Sequence, residues 1–165
     1  MKTSRAQSGT RTGYRRILWP TDFSALAKAA LPHALRLAEG HGAELAVLHV
    51  LPSIAMYAAP EVSGAVWVRL EKENRAVGMA ELRRVTRQVK AEGPKLRVHS
   101  ILAQGVPFEQ ILRAARRLRC DLIVIATHGR TGLAHVVMGS VAENVVRRAP
   151  CPVLTVRPPG VTGRR

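Results

Sequence analysis

The chain is poor in several things that would mark a specialised class. It has two cysteines, Cys120 and Cys151, with neither metal-ligand spacing nor the makings of a disulfide framework, so free thiols in a reducing compartment are expected. Each falls just before a predicted strand, which lets the two approach one another at one end of a sheet. No apolar run reaches the length of a membrane span, and the basic N-terminal segment lacks the apolar stretch of a signal peptide, so a soluble, cytoplasmic protein with no membrane partner is expected. Aromatic residues make up 4% of the chain and none is interleaved with the basic clusters, so the stacking platform of a single-strand nucleic-acid binder is missing. Neither G-x-x-x-x-G-K-[ST] nor G-x-G-x-x-G occurs, which excludes a P-loop and the standard dinucleotide fingerprint.

Basic charge is abundant. With 26 Lys and Arg against 11 Asp and Glu, the formal net charge is +15, a field that draws anionic metabolites, nucleic acid and acidic membranes alike. Several arginines recur at helical spacing, as in Arg83, Arg84, Arg87 and Arg113, Arg116, Arg117, the pattern of solvated outer helix faces. A solvated basic surface is therefore weighed above a dedicated nucleic-acid site. At 165 residues and 47% hydrophobic content, one globular domain with a substantial core is indicated. Residues 1–13 read as a disordered basic arm, 14–158 as the domain and 159–165 as a loose tail.

In chain order, Arg15 to Pro20 is a short apolar strand ending in P-T-D-F-S. Ser24 caps a helix to about Glu39, with Leu26, Ala30, Ala34 and Leu37 on one face and Pro32 as a defect that kinks or shortens it. Ala43 to Leu51 is the second strand. Pro52 to about Ala65 lacks periodicity and reads as a loop or flap. Val66 to Lys90 is a long charged helix turning Leu70, Val77, Leu82, Val85 and Val89 inward, with Gly78 as a weak point. Lys95 to Ala103 is the third strand, and Phe108, Ile111, Leu112, Ala115 and Leu118 make a clean helical stripe after Gly105-Val106-Pro107. Leu122 to Ala126 reads as a strand buried on both faces, and Val153 to Val156 as the last strand. The alternation of strands and helices argues for α/β architecture: a parallel sheet covered on both sides.

Between the fourth strand and its helix lies a loop punctuated by Gly129, Gly132 and Gly139. Ser140 and Glu143 are spaced as a capping box. A strand, a glycine loop and a helix N-terminus together can hold phosphate, because first-turn amides lack internal partners and carry the positive end of the helix dipole. Gly139 would let an anion reach those amides, and Gly129 is expected to take a conformation costing other residues about 1–2 kcal/mol. The same spacing also serves plain turn and cap chemistry, and on spacing alone the two readings stand level.

P-T-D-F-S, L-H-V in the second strand, G-V-P before the third helix, A-T-H-G-R-T-G and G-S-V-A-E-N-V-V-R-R-A-P-C-P-V-L-T-V together resemble the universal stress protein family over about Arg15 to Arg157. The resemblance implies a Rossmann-like open five-stranded parallel sheet of order 3-2-1-4-5, with helices on both faces. In the nucleotide-binding branch it implies ATP at the carboxyl ends of the strands, where order reverses between the first and fourth. The family's nucleotide motif of Gly, two residues, Gly, nine residues, Gly and then Ser, Thr or Asn falls on Ala126, Gly129, Gly139 and Ser140, so alanine stands at the first glycine position.

By the same resemblance Asp22 would meet the ribose hydroxyls, Pro20 and Thr21 would line that wall, and the backbone of Val50 would read the adenine edge. Thr127, His128, Gly129, Gly139, Ser140 and Val141 would wrap the phosphates, and Arg130 would screen charge or face water. His33, His41, His49, His99 and His135 show no ligand spacing and are read as structural. No acidic residue stands at a spacing suited to orienting water, so any ATPase activity is expected to be weak or absent. A divalent Mg2+ or Mn2+ would rest on the phosphates and Ser140. The implied protein is an ATP-binding stress-response module, homodimeric through Pro152 to Val156, with a protein partner the sequence does not name. The rivals are a partner-binding protein of the same fold with no nucleotide and, behind it, an electrostatic nucleic-acid binder.

Overall fold

The computed structural model describes residues 13–52, 64–129 and 138–159. Five strands, β1 (Arg16–Pro20), β2 (Glu44–Leu51), β3 (Val98–Gln104), β4 (Leu122–Ala126) and β5 (Val153–Val156), form one sheet of order β3-β2-β1-β4-β5. Every pairing is parallel. This is the expected Rossmann-like arrangement, and the order reverses between β1 and β4.

Among the described residues five helices cover it: α1 (Ala25–Lys28), α2 (Leu31–His41), α3 (Gly64–Glu92), α4 (Pro107–Leu118) and α5 (Ser140–Arg148). The period-two alternation of each central strand sends side chains to two separate cores. Ile17, Trp19, Leu45, Val47, Leu122 and Val124 meet α2 and α3 through Leu31, Ala34, Leu82, Val85 and Val89. Leu18, Ala46, Leu48, Ile123 and Ile125 meet α4 and α5 through Ile111, Ala114, Ala115, Ala142 and Val145. Continuous apolar strands such as Leu122–Ala126, buried at all five positions, are what a doubly covered sheet requires.

Three elements differ from the sequence reading. The helix expected from Ser24 to Glu39 is two: α1 ends at Lys28, and α2 begins at Leu31 with Pro32 in its first turn, where the missing N–H has no partner to lose. The third strand starts at Val98 rather than Lys95. In α3, Leu82, Val85 and Val89 are buried, but Leu70 and Val77 are 40% and 63% exposed rather than inward. Gly78 is no weak point in packing: a Cβ there would stand 2.7 Å from Leu51 Cδ2, so its bareness lets α3 lie close on β2. The expected flap lies largely outside the described residues, as do residues 1–12 of the arm and 160–165 of the tail.

Candidate functional site

At the carboxyl ends of the strands, where β1 and β4 part, lies a cavity of about 360 Å³. Its position is the one that strand-order reversal creates in open α/β sheets, and its size is at the lower end of small-ligand pockets. Pro20, Thr21 and Asp22 come to it from the end of β1, Val50 from β2, and Ala126, Thr127, His128 and Gly129 from the end of β4. Gly139, Ser140 and Val141 come from the start of α5. The structure thus brings together eleven of the twelve residues singled out in the sequence; Arg130 lies outside the described residues.

The β1 wall is tightly organised. Thr21 N–H donates to Leu48 O at 2.8 Å, continuing the β1–β2 ladder one residue past the strand. Asp22 Oδ1 accepts from Ser24 N at 3.0 Å and from Ser24 Oγ at 2.6 Å, while Ser24 Oγ accepts from Ala27 N at 3.1 Å and so caps α1. Phe23, between them, has φ +66°, a left-handed conformation that costs a bulky residue about 1–2 kcal/mol.

Across the mouth, Thr127 N–H donates to Val156 O at 2.8 Å, and Gly139 N–H donates to Thr127 O at 2.7 Å. The second bond ties the start of α5 to the end of β4. Thr127 and His128 are buried, their side chains in contact through Oγ1 and Nδ1 at 2.9 Å.

Two expectations about this loop need correction. Ser140 is not the N-cap: Gly139 holds that position with φ −66° and ψ 150°, no side chain caps the helix, and Ser140 is its first residue. The capping box therefore does not form, and Glu143 instead pairs with Arg147 at 3.2 Å. With neither cap nor box among the described residues, no N-cap side chain takes the first-turn amides of α5, which begins at the cavity, and the dipole adds positive potential at that end. Gly129 is not left-handed either. Its constraint is proximity, since a Cβ would stand 2.5 Å from Asp22 Oδ2. At Gly139 a Cβ would meet Thr127 O at 3.2 Å.

Sequence reasoning missed other lining groups. His49, read as structural, borders the cavity, bonds Thr21 O through Nδ1 at 2.8 Å and stacks on Phe23 at 4.0 Å between ring centroids. Its one visible signal is a polar residue inside the apolar run from Leu45 to Leu51. Pro107 and Ile111 of α4 add an apolar wall that only the preceding G-V-P hinted at. Among the described residues no group of three or more His, Cys, Asp or Glu is placed to hold a metal ion, and no helix is long and apolar enough to cross a membrane.

A doubly wound parallel sheet with a crevice at its reversal point, an uncapped helix N-terminus on one lip and a tethered carboxylate on the other, places the chain in the open, Rossmann-like α/β class. The family model of the universal stress protein family matches residues 13–157, and the chain belongs to that family. It is 33% identical over 146 residues to Universal stress protein MJ0531 of Methanocaldococcus jannaschii, covering 88% of this chain and 84% of that one. The universal stress protein UspA from Lactobacillus plantarum superposes with a TM-score of 0.77 at 30% identity, over 88% of this chain and 99% of its own. A family protein from Arabidopsis thaliana with AMP bound shares the fold, with a TM-score of 0.61 at 23% identity, over 88% and 93% of the two chains.

Proposed function

We propose that this protein binds ATP in the crevice between β1 and β4 and acts as a stress-response module whose nucleotide occupancy is the signal. The observation that carries the reading is the pairing of chemistries across one mouth. The first-turn amides behind Gly139, which no N-cap side chain takes, suit a polyanion, and the Asp22 carboxylate, fixed by Ser24, suits vicinal hydroxyls. Between them Pro107 and Ile111 offer an apolar slot of the kind a purine fills, with the backbone of Val50 to read the adenine edge. The AMP held by the Arabidopsis protein of the same fold is in keeping with an adenine nucleotide.

Pro20 and Thr21 would line the ribose wall, and Thr127, His128, Gly129, Ser140 and Val141 the phosphate wall. Mg2+ or Mn2+ would be held through the phosphates, with the Ser140 hydroxyl as the protein's contribution, since the described residues supply no ligand cluster. Asp22 is the one carboxylate among the described lining residues, and it stands at the ribose wall with Oδ1 engaged by Ser24. Among the described residues nothing acidic is thereby placed to orient water at the phosphate end, which supports a reading of slow or absent hydrolysis.

The edge strand β5, with Leu154 37% exposed, supplies the surface for pairing with a second copy through Pro152 to Val156 in a cytoplasmic homodimer. Titration with ATP and Mg2+ at moderate salt tests the nucleotide reading. Saturable binding that Gly139→Val abolishes is expected; no saturable binding, or binding indifferent to that substitution, overturns it.

A further inference from the structure

Phe23 sits where a glycine would be at ease. Its φ of +66° is a conformation that a bulky aromatic side chain rarely adopts, and the turn needs only a left-handed residue, which glycine supplies without strain. Something other than the turn must account for the ring. The Phe23 N–H donates to Thr21 Oγ1 at 3.0 Å, and the ring lies on the imidazole of His49, 4.0 Å between centroids and 29° between planes. His49 Nδ1 is 2.8 Å from Thr21 O; a carbonyl only accepts, so Nδ1 carries the proton and donates.

One β2 side chain thus grips the β1–α1 turn twice, by stacking on Phe23 and by bonding Thr21. The left-handed step at Phe23 brings Ser24 back so that its N–H and Oγ both reach Asp22 Oδ1, and Oδ2 stands against Gly129 at the cavity wall.

We propose that Phe23, through its stack on His49, is a positioning residue that aims the Asp22 carboxylate into the nucleotide crevice and thereby sets discrimination for a ligand bearing vicinal ribose hydroxyls. The inference rests on the nucleotide reading given above. A ring that merely covers the neighbouring core would support every ligand equally. A ring that aims Asp22 affects only ligands whose hydroxyls Asp22 meets.

The test compares ATP with 2′,3′-dideoxy-ATP by equilibrium titration in the full-length wild type and in four variants, each checked for folding by circular dichroism. The wild type is expected to prefer ATP by about tenfold to a hundredfold, the worth of hydrogen bonds to a charged group. Asp22→Ala reduces that ratio to near one. Phe23→Gly, free of backbone strain, and Phe23→Leu, which keeps bulk without a ring, both lower the ratio toward the Asp22→Ala value while leaving dideoxy-ATP affinity within about threefold, since the phosphate cradle is untouched. Phe23→Tyr, which keeps the stack, retains the wild-type ratio. If Phe23→Gly does not fold, Phe23→Leu decides alone. No ATP binding by the wild type removes the nucleotide reading and this inference together. Normal wild-type discrimination that survives in Phe23→Leu, or an equal loss of both ligands in the glycine and leucine variants, overturns this inference alone.

Discussion

Gly129→Ala isolates the closest approach in the crevice. The added Cβ would stand 2.5 Å from Asp22 Oδ2 and 3.5 Å from its Cγ, so the carboxylate has to retreat by most of an ångström. It is not free to do so. Oδ1 is held at 3.0 Å by Ser24 N and 2.6 Å by Ser24 Oγ, and the same hydroxyl caps α1 through Ala27 N. Hydrogen bonds to a charged acceptor contribute about 1.5–3 kcal/mol each, toward the low end here because Asp22 is half-buried and water can replace a lost partner. Against that loss, the alanine narrows the unfolded ensemble and returns about 0.4–1 kcal/mol, and no left-handed strain arises at this position. The net expectation is a destabilisation of about 1–2 kcal/mol, seen in urea as a lower midpoint at unchanged slope, together with weaker ATP binding. The decisive comparison is the same substitution in an Asp22→Ala background, where the clash is gone and the cost should vanish. An equal cost in both backgrounds would refute the claim that Gly129 is bare to admit the carboxylate.

Three further expectations follow from other parts of the chain. Arg119 closes α4 with φ +52°, so Arg119→Gly should stabilise by about 0.5–1 kcal/mol in chemical denaturation, the left-handed cost less glycine's entropy. The Arg16 guanidinium, bonded to Glu44 at 3.0 Å, holds that carboxyl below its ordinary 4.5 with help from Arg97 and His99, outweighing partial burial. The stabilisation is complete above pH 4.5 and fades as the pH falls through the lowered value, so the stability gap between wild type and Glu44→Gln should shrink in acid. Burial, with smaller contributions from Cys151 and Asp121, pushes the Cys120 thiol up to about 12; it should resist thiol reagents at pH 8 in the native protein and react once urea unfolds it.

The sheet was legible in the sequence because doubly covered strands leave an unbroken apolar record, as at Leu122–Ala126. The helices were less so, for reasons of length and capping. The stripe Leu26, Ala30, Ala34, Leu37 runs straight across the break between α1 and α2, and only Pro32 marks it. Leu70 and Val77 look inward by polarity alone, yet the 29 residues of α3 extend roughly 44 Å at 1.5 Å each. Its buried stripe, however, is Gly78, Leu82, Val85 and Val89; Val77 lies roughly 100° round the helix from Gly78, and Leu70 stands about two turns before the stripe begins. In the crevice, the linear motif located most of the lining. It could not show the Asp22 carboxylate resting on Gly129, or His49 resting on Phe23, because those contacts join segments that meet only when the sheet is assembled.

Ala126 shows how topology qualifies a motif. A methyl at the first glycine position looks like an obstruction to a ligand. Side chains of a strand alternate, however, and Ala126 follows Leu122 and Val124 into the core beneath α2 and α3. The uncapped N-terminus of α5 is built on the opposite face, where its Ala142 shares a core with Ile123 and Ile125. Ala126 borders the cavity, and it belongs to the core on the far side of the sheet from the amides that would meet phosphate. Steric exclusion of a polyanion would have to come from Thr127, His128 or the loop beyond Gly129. At Gly129 and Gly139 the space a Cβ would take is met by Asp22 Oδ2 and Thr127 O, so their bareness lets the two lips close on the chain itself. The departure at Ala126, whose methyl turns into the other core, does not by itself remove the site from the nucleotide-binding branch.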